Sequence, residues 1–409
     1  MVYTQRLKTA TGDVRLALER LGIRRQSARF SQHGEHEPSA DAPLVLVACS
    51  GGRDSLALAA LSHTVCGSLG LRCGAIVVDH GLQQGSALIA RQAADRCAAL
   101  GLAPVRIEAV HVEEQGQGLE AAARFARYTA LAAAARRLGA AAVLLAHTKS
   151  DQAETVVIGL LRSGGLDALA GMPRSFVLQG MQFARPLLGI TRAQTTGICR
   201  DLGLQWWDDP TNGDDVDRDD DGIGNASDDD SGEDSGDDNR KTDDANAGIG
   251  GDSKSEQSNA SPVLPGDFPL RSRVRHDLIP YLERFTGADI IEHLASMAQL
   301  ARDDKSYLDT QAAKLTALAV GKDDEHAESR TLKLAVAMLA NEHVAMRRRV
   351  IAHALSSLRI TATSRHVEAI DRLISDWHGQ GPISLPSGYT ATRQKHVIRL
   401  CQDGGHANR

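Results

Sequence analysis

Four short apolar runs, rich in β-branched residues, recur between residues 44 and 146 and predict buried β-strands. These runs are Leu44–Cys49, Gly74–Asp79, Val105–Glu108 and Ala142–Ala146. Each precedes a stretch with apolar residues at helical spacing, at 55–70, 86–101, 119–138 and 151–163. Because strands that alternate with helices build parallel sheets covered on both faces, the pattern predicts an α/β fold with a doubly wound parallel sheet. Ligands of such sheets bind at the carboxyl ends of the strands.

The regions on either side of this pattern suggest further domains. Residues 1–42 have apolar positions at helical spacing and then a polar stretch, and we interpret them as an N-terminal helix and linker. Residues 43–212 are expected to form the sheet domain. From 267 to 409 the pattern predicts a separate, mostly helical C-terminal domain, with one or two short β-hairpins after Gly381.

An acidic segment at 213–266 interrupts these patterns with Asp, Gly, Ser and Asn and almost no apolar residues. It cannot bury enough surface to offset the entropy of ordering it, so we expect a disordered insertion. Residues 213–260 carry 17 Asp or Glu against 4 Lys or Arg, which leaves the rest of the chain at +7 although the whole chain carries −6. A basic body suits a nucleic-acid partner.

A calcium loop is the alternative interpretation of this segment. Asp217, Asp219 and Asp221, followed by Gly222, match the start of an EF-hand loop. The twelfth position holds Asp228 instead of the bidentate Glu, and no flanking helices are evident. The disordered linker is therefore favoured.

Composition also excludes several classes of protein. No run of 18 apolar residues occurs, so we expect no membrane-spanning helix. The N-terminus lacks the continuous apolar core of a secretion signal, and we expect a cytoplasmic protein. The six cysteines form no C-x-x-C pair, which argues against zinc ribbons, iron–sulfur clusters and thioredoxin-like chemistry.

The segment Ser50-Gly51-Gly52-Arg53-Asp54-Ser55 follows the first predicted strand and opens a predicted helix. Two glycines let the backbone turn tightly and approach a ligand, and a helix N-terminus offers unpaired N–H groups. With the serine hydroxyls, these groups predict a cradle for nucleotide phosphates. The segment is neither a Walker loop nor a Rossmann fingerprint. The alternative is a tight turn that merely caps the helix.

Asp54 adds a second property to this loop. A carboxylate beside phosphates repels them unless a cation bridges the two. Magnesium typically uses one or two carboxylates together with phosphate oxygens. The sequence therefore predicts Asp54 as a ligand of Mg²⁺.

The loop resembles the signature of the PP-loop ATP pyrophosphatases, and further motifs narrow the resemblance to the tRNA(Ile)-lysidine synthetase family. These motifs share the family's order and spacing, and they are Val78–Leu82, Glu120–Tyr128, Leu145–Thr155, Gly171–Met172, Arg185–Leu188, Asp208–Asn212 and Arg271–Arg275. The resemblance covers 43–212 strongly and 268–400 more weakly. Thr148 stands where the family has a second His, and 214–266 interrupts a link that is normally short.

The resemblance implies a two-step ligase reaction that uses ATP, Mg²⁺, free lysine and tRNA(Ile) with a CAU anticodon. The C2 carbonyl oxygen of the wobble cytidine attacks the α-phosphate of ATP, and pyrophosphate leaves. The ε-amine of lysine then attacks C2, and AMP leaves. The product is lysidine. The sequence does not fix the oligomeric state, and a homodimer is compatible with it.

Roles for individual residues follow from this resemblance. The expected ATP-binding residues are Ser50, Gly51, Gly52, Arg53, Asp54, Ser55 and Asp79. The expected catalytic residues are Asp54, Asp151, Glu154 and Arg127, with Arg124 as a second guanidinium for the lysine carboxylate or the phosphates. The carboxylates of Asp151 and Glu154 are expected to bind ammonium groups, and one of them to take the proton of the attacking amine. Phosphates of tRNA are expected to contact Arg271, Arg273, Arg275 and the cluster Arg347–Arg349.

Each role has a structural alternative. Asp151 and Glu154 also suit a helix N-terminus through its dipole, and the arginines also suit solvated helix faces. There are three rival functions. PP-loop relatives that make amide bonds on small molecules lack a basic C-terminal domain of the tRNA-binding type. A tRNA thiolase would need reactive or cluster-binding cysteines, usually in C-x-x-C pairs, and a non-enzymatic protein would bind ATP or calcium without turnover.

Overall fold

The computed structural model describes residues 4–31, 37–79, 81, 85–110, 119–163, 165–209, 264–266, 268–322 and 331–402. The chain divides into two compact units. Unit 1 comprises Met1–Ala146, Leu178–Met181 and Arg192–Ile290, and unit 2 comprises His147–Val177, Gln182–Thr191 and Ile291–Arg409. The insertion expected at 213–266, with its calcium-loop alternative, lies outside the described residues apart from 264–266.

Unit 1 alternates helices and strands along the chain. Its elements are α1 (Gln5–Arg20), β1 (Leu44–Ala48), α2 (Arg53–Leu69), β2 (Arg72–Asp79), α3 (Ser86–Ala99), β3 (Val105–Ala109), α4 (Leu119–Arg137), β4 (Ala140–Leu144), α7 (Arg192–Asp201), α8 (Leu270–Arg273) and α9 (Ile279–Thr286). A turn of π-helix, Val274–Leu278, connects α8 to α9.

The strands of unit 1 lie in the order β3-β2-β1-β4 and pair in parallel. In the central strand, Leu46 lies beside Gly74 of β2 and Val143 of β4. The side chains from Leu44 to Val47 are all buried, as expected for a strand covered on both faces. The predicted α/β fold with a parallel sheet is thus confirmed, and the four strand positions are correct to within two residues.

Helix α1 buries one stripe of side chains, Leu7, Ala10, Val14 and Leu18, at the spacing of an amphipathic helix. Its start is held to the end of α7. Asp201 accepts hydrogen bonds from Arg6 Nε and Thr4 Oγ1, both at 2.7 Å. Hydrogen bonding from Arg6 and then Thr4 lowers the pKa of Asp201 below its ordinary value.

Unit 2 contains the segment after β4 and the C-terminal part of the chain. Its elements are α5 (Lys149–Arg162), α6 (Leu166–Ala170), α10 (Ile290–Ala319), β7 (Val320–Lys322), β8 (Leu332–Ala335), α11 (Val336–Leu339), α12 (Val344–Ser357), α13 (Ser364–Ser375), β9 (Ile383–Leu385), β10 (Tyr389–Gln394) and β11 (Val397–Gln402). Two further strands, β5 (Ser175–Leu178) and β6 (Met181–Ala184), are neighbours joined by the turn at Gln179 and Gly180. None of the described helices has both the length and the apolar character needed to cross a bilayer.

The C-terminal part is helical, as predicted, and also carries a five-stranded antiparallel sheet. The strand order is β7-β8-β11-β10-β9. Inward-facing residues such as Leu334, Ala391 and Ile398 pack with Ile351 and Ile370 of the helices in one apolar core. The sequence predicted the hairpin formed by β10 and β11. It did not predict β7 and β8, because three- and four-residue strands at the end of a long helix leave too short a pattern to detect.

The cluster Arg347–Arg349 on α12 is engaged in ion pairs within unit 2. Arg347 Nε lies 2.7 Å from Oδ1 of the buried Asp371. Arg348 lies 3.3 Å from Glu368, and Arg349 lies 3.3 Å from Asp309. The side chain of Arg347 is only 13% exposed, against 44% for Arg348. A structural role therefore accounts for Arg347 without a nucleic-acid contact.

This difference in burial predicts different effects of two neighbouring substitutions. Arg347→Ala leaves the buried carboxylate of Asp371 without its main cation and should destabilise unit 2 by about 3 kcal/mol. Arg348 also lies 3.6 Å from Asp371, but at 44% exposure its ion pairs are screened by solvent, so Arg348→Ala should cost less, about 1 kcal/mol. Urea unfolding followed by circular dichroism measures both. Equal losses of stability would contradict the assignment of Arg347 as the buried partner.

Candidate active site

The glycine loop lies at the carboxyl end of β1 and leads directly into α2. Gly51 adopts φ +84°, which is the left-handed region. A Cβ at Gly51 would lie 2.9 Å from Cβ of Ala93 on α3, so backbone conformation and packing both require glycine there. Gly52 is the N-cap of α2, and no side chain caps this helix end. A helix N-terminus without a side-chain cap, at the end of a glycine-rich loop, is the arrangement that binds anions in many nucleotide-binding proteins.

Ser55 maintains the shape of this loop from the first turn of α2. Its hydroxyl donates to the carbonyl oxygen of Gly52 at 2.9 Å and accepts from the Ser50 N–H at 3.2 Å. It also lies 3.3 Å from Ser50 Oγ and 3.4 Å from Cys49 Sγ. Ser55 is buried, so the structure gives it a role in holding the loop in addition to the expected role as a phosphate donor.

Asp54 is held by two residues of α7. The hydroxyl of the buried Thr195 donates a hydrogen bond to Asp54 Oδ1, and Arg192 Nε lies 3.8 Å from Oδ2. The sequence interpretation did not identify Thr195 or Arg192, because they lie about 140 positions along the chain from Asp54 and belong to no motif it used. These contacts fix the direction of the carboxylate beside the loop.

Cys199 is a third residue of α7 that contacts this region. Its thiol donates to the carbonyl oxygen of Arg53 at 3.3 Å. Burial, and then the negative charge of Asp54, raise the pKa of Cys199 to about 12. The thiol therefore stays protonated near neutral pH and keeps its role as a donor. It is a positioning contact and carries no nucleophilic function.

The surroundings of Asp54 suit a magnesium ion that arrives with a nucleotide. Among the residues that the structure describes, no group of three or more His, Cys, Asp or Glu side chains is arranged to hold a metal. Magnesium does not require such a group, because it retains water molecules and uses one or two carboxylates with phosphate oxygens. Asp54 offers one such carboxylate beside the anion-binding end of α2.

The segment before the predicted insertion also borders the loop. Trp207 N–H donates to the carbonyl oxygen of Gly51 at 3.0 Å, and Arg53 Nη2 lies 4.0 Å from Asp208 Oδ1. The motif Asp208–Asn212 thus begins next to the loop, although Pro210–Asn212 lie outside the described residues. The start of this motif therefore has a structural role, because it contacts the glycine loop.

Asp79 ends β2, whose carboxyl end lies at the same edge of the sheet as the loop because β1 and β2 pair in parallel. Its Oδ1 accepts a hydrogen bond from the Gly81 N–H at 3.0 Å. This bond closes a turn immediately after the strand. His80 and residues 82–84 lie outside the described part of the chain.

A cluster of positive charge lies on α4 and α8 of unit 1. The guanidinium groups of Arg124 and Arg127 both lie about 5.5 Å from the ring centroid of Tyr128 (5.5 and 5.4 Å). Burial, and further the positive charges of Arg124 and Arg271, lower the pKa of Arg127 below its ordinary value. Because like charges repel in a partly dry environment, this cluster favours binding of an anion.

Arg271 and Arg273 belong to α8, and Arg275 belongs to the π-helical turn that follows. Nε of Arg273 is buried without a hydrogen-bond partner among the described residues. Single π-turns inside helices occur frequently at functional sites. The structure therefore places the three predicted tRNA-binding arginines within five residues of one continuous helical segment.

The remaining predicted catalytic residues lie on α5 in unit 2. Asp151 forms a capping box with Thr148. Its Oδ2 accepts from the N–H and the hydroxyl of Thr148, both at 2.8 Å, while the Asp151 N–H donates to Thr148 Oγ1 at 3.3 Å. Glu154 is 1% exposed. The capping alternative for Asp151 is therefore a real contact, and it explains why Thr is well suited to position 148.

Arg185, another motif residue, connects several parts of unit 2. It is buried, donates to the carbonyl oxygen of Pro173 at 2.7 Å and to His147 Nδ1 at 3.3 Å, and lies over the ring of Phe176. These contacts hold the segment after α6 against the start of α5. His147 is thus positioned by Arg185, in agreement with a structural histidine.

The parallel sheet and the glycine loop define a PP-loop protein. Comparison with known families agrees: residues 23–218 match the model of a PP-loop domain, and residues 334–400 match the TilS substrate binding domain. A tRNA(Ile)-lysidine synthase from Bifidobacterium longum subsp. infantis is 51% identical over all of this chain and all of its own length. Another from Streptomyces coelicolor is 39% identical over 88% of this chain and 86% of its own.

The chain therefore belongs to the tRNA(Ile)-lysidine synthase family of ligases. Among solved structures, a U34-tRNA thiolase from Methanococcus maripaludis with a [4Fe-4S] cluster matches with a TM-score of 0.43 at 15% identity, over 72% of this chain and 80% of its own. A match of that size says nothing about the chemistry of this chain.

The two glycines of the loop provide a matched pair of substitutions. Gly51→Ala forces a side chain into the left-handed region and against Ala93, so it should destabilise unit 1 by about 1–3 kcal/mol. Gly52 has φ −77°, and an added Cβ would meet its nearest neighbours at 3.6 Å, so Gly52→Ala meets no steric conflict and should cost no more than the roughly 1 kcal/mol expected for Ala at an N-cap. Urea unfolding gives both values.

Gly52→Ala also tests whether the backbone of the glycine loop contacts the phosphates of ATP. We expect Gly52→Ala to fold normally and still lose ATP binding measured by calorimetry, because its new methyl group occupies the surface where phosphates would approach. Unchanged ATP affinity in Gly52→Ala would show that the phosphates bind elsewhere.

Thr195 allows a test of how Asp54 is held. Thr195→Val keeps the buried volume and removes the hydroxyl, whereas Thr195→Ser keeps the hydroxyl. Because hydrogen bonds to charged groups contribute about 1.5–3 kcal/mol, Thr195→Val should weaken ATP binding at fixed Mg²⁺ by roughly tenfold or more. Thr195→Ser should bind ATP like the parent protein. If both variants bind equally, the hydroxyl does not position Asp54.

Proposed function

We propose that this protein joins free lysine to C2 of the wobble cytidine of tRNA(Ile) bearing a CAU anticodon, with ATP as the second substrate. The similarity to lysidine synthases along the whole chain is the observation that carries this proposal. The geometry of the glycine loop supports the use of ATP. Adenylation of the cytidine precedes attack by lysine, so pyrophosphate and then AMP are released.

The first step is assigned to residues of unit 1. Negative charge grows on the phosphoryl oxygens when the cytidine oxygen attacks, so N–H donors and cations must face them. The N–H groups at the start of α2, which has no side-chain cap, would supply donors. Bound Mg²⁺ would neutralise phosphate charge, and Asp54 is the residue that would hold it. Arg127, with Arg124 beside it, attracts either the phosphates or the lysine carboxylate.

The second step is assigned to two carboxylates of α5. Asp151 and Glu154 are three residues apart and therefore share a side of the helix. Both suit an ammonium group of lysine. One of them takes the proton that leaves the ε-amine as it bonds to C2. Oδ2 of Asp151 also accepts hydrogen bonds from Thr148, which orient the carboxylate at the start of α5.

The tRNA is assigned to the basic segment and the C-terminal part. Arg271, Arg273 and Arg275 are proposed to contact its phosphates. We assign 43–212 to catalysis, 213–266 to an acidic insertion and 267–409 to tRNA binding, after an N-terminal helix and linker at 1–42. The reaction is proposed to take place in the cytoplasm, where its substrates are found, and a homodimer stays a prediction.

The two proposed steps predict separable effects of substitution. Asp54→Asn should lower pyrophosphate release from ATP in the presence of tRNA(Ile) at least a hundredfold, since it removes charge at the phosphates. Glu154→Gln and Asp151→Asn should leave tRNA-dependent pyrophosphate release within a few fold and raise the KM for lysine. Malachite-green detection of phosphate after treatment with inorganic pyrophosphatase measures the first step, and incorporation of radiolabelled lysine measures the second.

Thr148→Ala is the control for Asp151. It breaks the capping box at a cost of about 1 kcal/mol but leaves the carboxylate in place, so the KM for lysine should not change. An equal rise in KM for Thr148→Ala and Asp151→Asn would assign Asp151 to capping alone. Pyrophosphate release that needs no tRNA would contradict the proposed order of steps, and ATP binding without turnover would favour a non-enzymatic protein.

A further inference from the structure

Two aromatic side chains are displayed on the surface of unit 1 at the end of its basic helical segment. Tyr281 is 55% exposed and Phe285 is 75% exposed, although large aromatic side chains are usually well buried. They lie one turn apart on α9, with ring centroids 6.1 Å apart and ring planes inclined by 19°. Ile279 of the same helix is buried and faces the core. The outer side of α9 therefore carries a nearly parallel pair of rings.

One arginine lies beside this pair, and three more begin the same helical segment. Arg284 is exposed and lies three residues after Tyr281, hence on the same side of the helix. The continuous helical segment that ends in α9 begins with Arg271, Arg273 and Arg275. Two acidic residues belong to the segment. Asp277 lies four residues before Tyr281 and accepts a hydrogen bond from the Leu264 N–H, and Glu283 is two residues from Tyr281 and does not face it.

We propose that Tyr281 and Phe285 form a stacking platform for an unpaired base of the tRNA, a base-binding site next to the phosphate-binding arginines. This inference rests on the proposed function. Unpaired RNA bases are recognised by stacking on aromatic rings, while neighbouring arginines bind the backbone. The exposed rings suit the bases of a single-stranded RNA segment, and the guanidinium groups suit its phosphates.

A second copy of this chain fits the same surface less well. A symmetric contact through α9 would bring the arginines of both copies together, and like charges across an interface are unfavourable. A stable protein interface also needs about 800 Å² from each partner, far more than two side chains provide. RNA has the opposite charge and needs only a small platform for each base.

The test compares the affinity of variants for a fluorescent tRNA(Ile) transcript with a CAU anticodon, measured by anisotropy at several salt concentrations. Replacing both rings (Tyr281→Ala with Phe285→Ala) should weaken binding about tenfold or more, because stacking on each ring is lost. The dependence of affinity on salt should not change. Arg271→Ala should instead reduce the salt dependence by about one unit of slope. Tyr281→Phe keeps the ring and should bind like the parent protein.

Tyr307→Ala is the matched control, since Tyr307 is 65% exposed on α10 and is not part of the platform. Parent-like affinity in the double variant would overturn the inference, as would an equal loss in Tyr307→Ala. A change in oligomeric state by sedimentation with unchanged tRNA affinity would identify a second copy as the occupant. If the parent protein does not join lysine to tRNA(Ile), the proposed function fails; if it does and the double variant binds tRNA normally, only the platform fails.

Discussion

The left-handed turn at Gly51 determines where α2 begins, and the arrangement of the candidate site depends on it. A residue with a side chain would meet Ala93 of α3 at this point, so the loop can pass close to α3 only with glycine. The turn leads the chain from the end of β1 into α2, whose N-cap is Gly52 and whose start has no side-chain cap. The N–H groups at this start are the anion-binding element on which the proposed use of ATP rests.

Several residues distant in sequence stabilise this turn. Ser55 closes the loop on itself, Trp207 binds the carbonyl oxygen of Gly51, and Thr195 with Arg192 orients Asp54. Helix α7 and the segment after it thus surround the loop on the side of its carboxylate. The segment from Arg192 to Asp208 therefore helps to hold the glycine loop and Asp54 in place.

The sequence predicts features that depend on neighbouring residues better than contacts between residues far apart in the chain. The central strands were predictable because parallel strands buried on both faces are continuous apolar runs, and Gly51 was predictable because only glycine suits such a turn. Thr195 was not predictable, since an Arg-Ala-Gln-Thr-Thr helix start looks ordinary until the fold brings it to Asp54. Asp151 shows a third situation: the sequence offered both helix capping and lysine binding for it, and the fold adds the capping box with Thr148.

The chemistry assigned to this molecule is most directly tested by following labelled lysine into RNA. Purified protein would be incubated with ATP, Mg²⁺, labelled lysine and either tRNA(Ile) with a CAU anticodon or the same tRNA with uridine at the wobble position. The proposed function predicts label in the first tRNA, located in the anticodon nucleoside, and none in the second. Equal labelling of both tRNAs, or ATP consumption without any label in RNA, would contradict it.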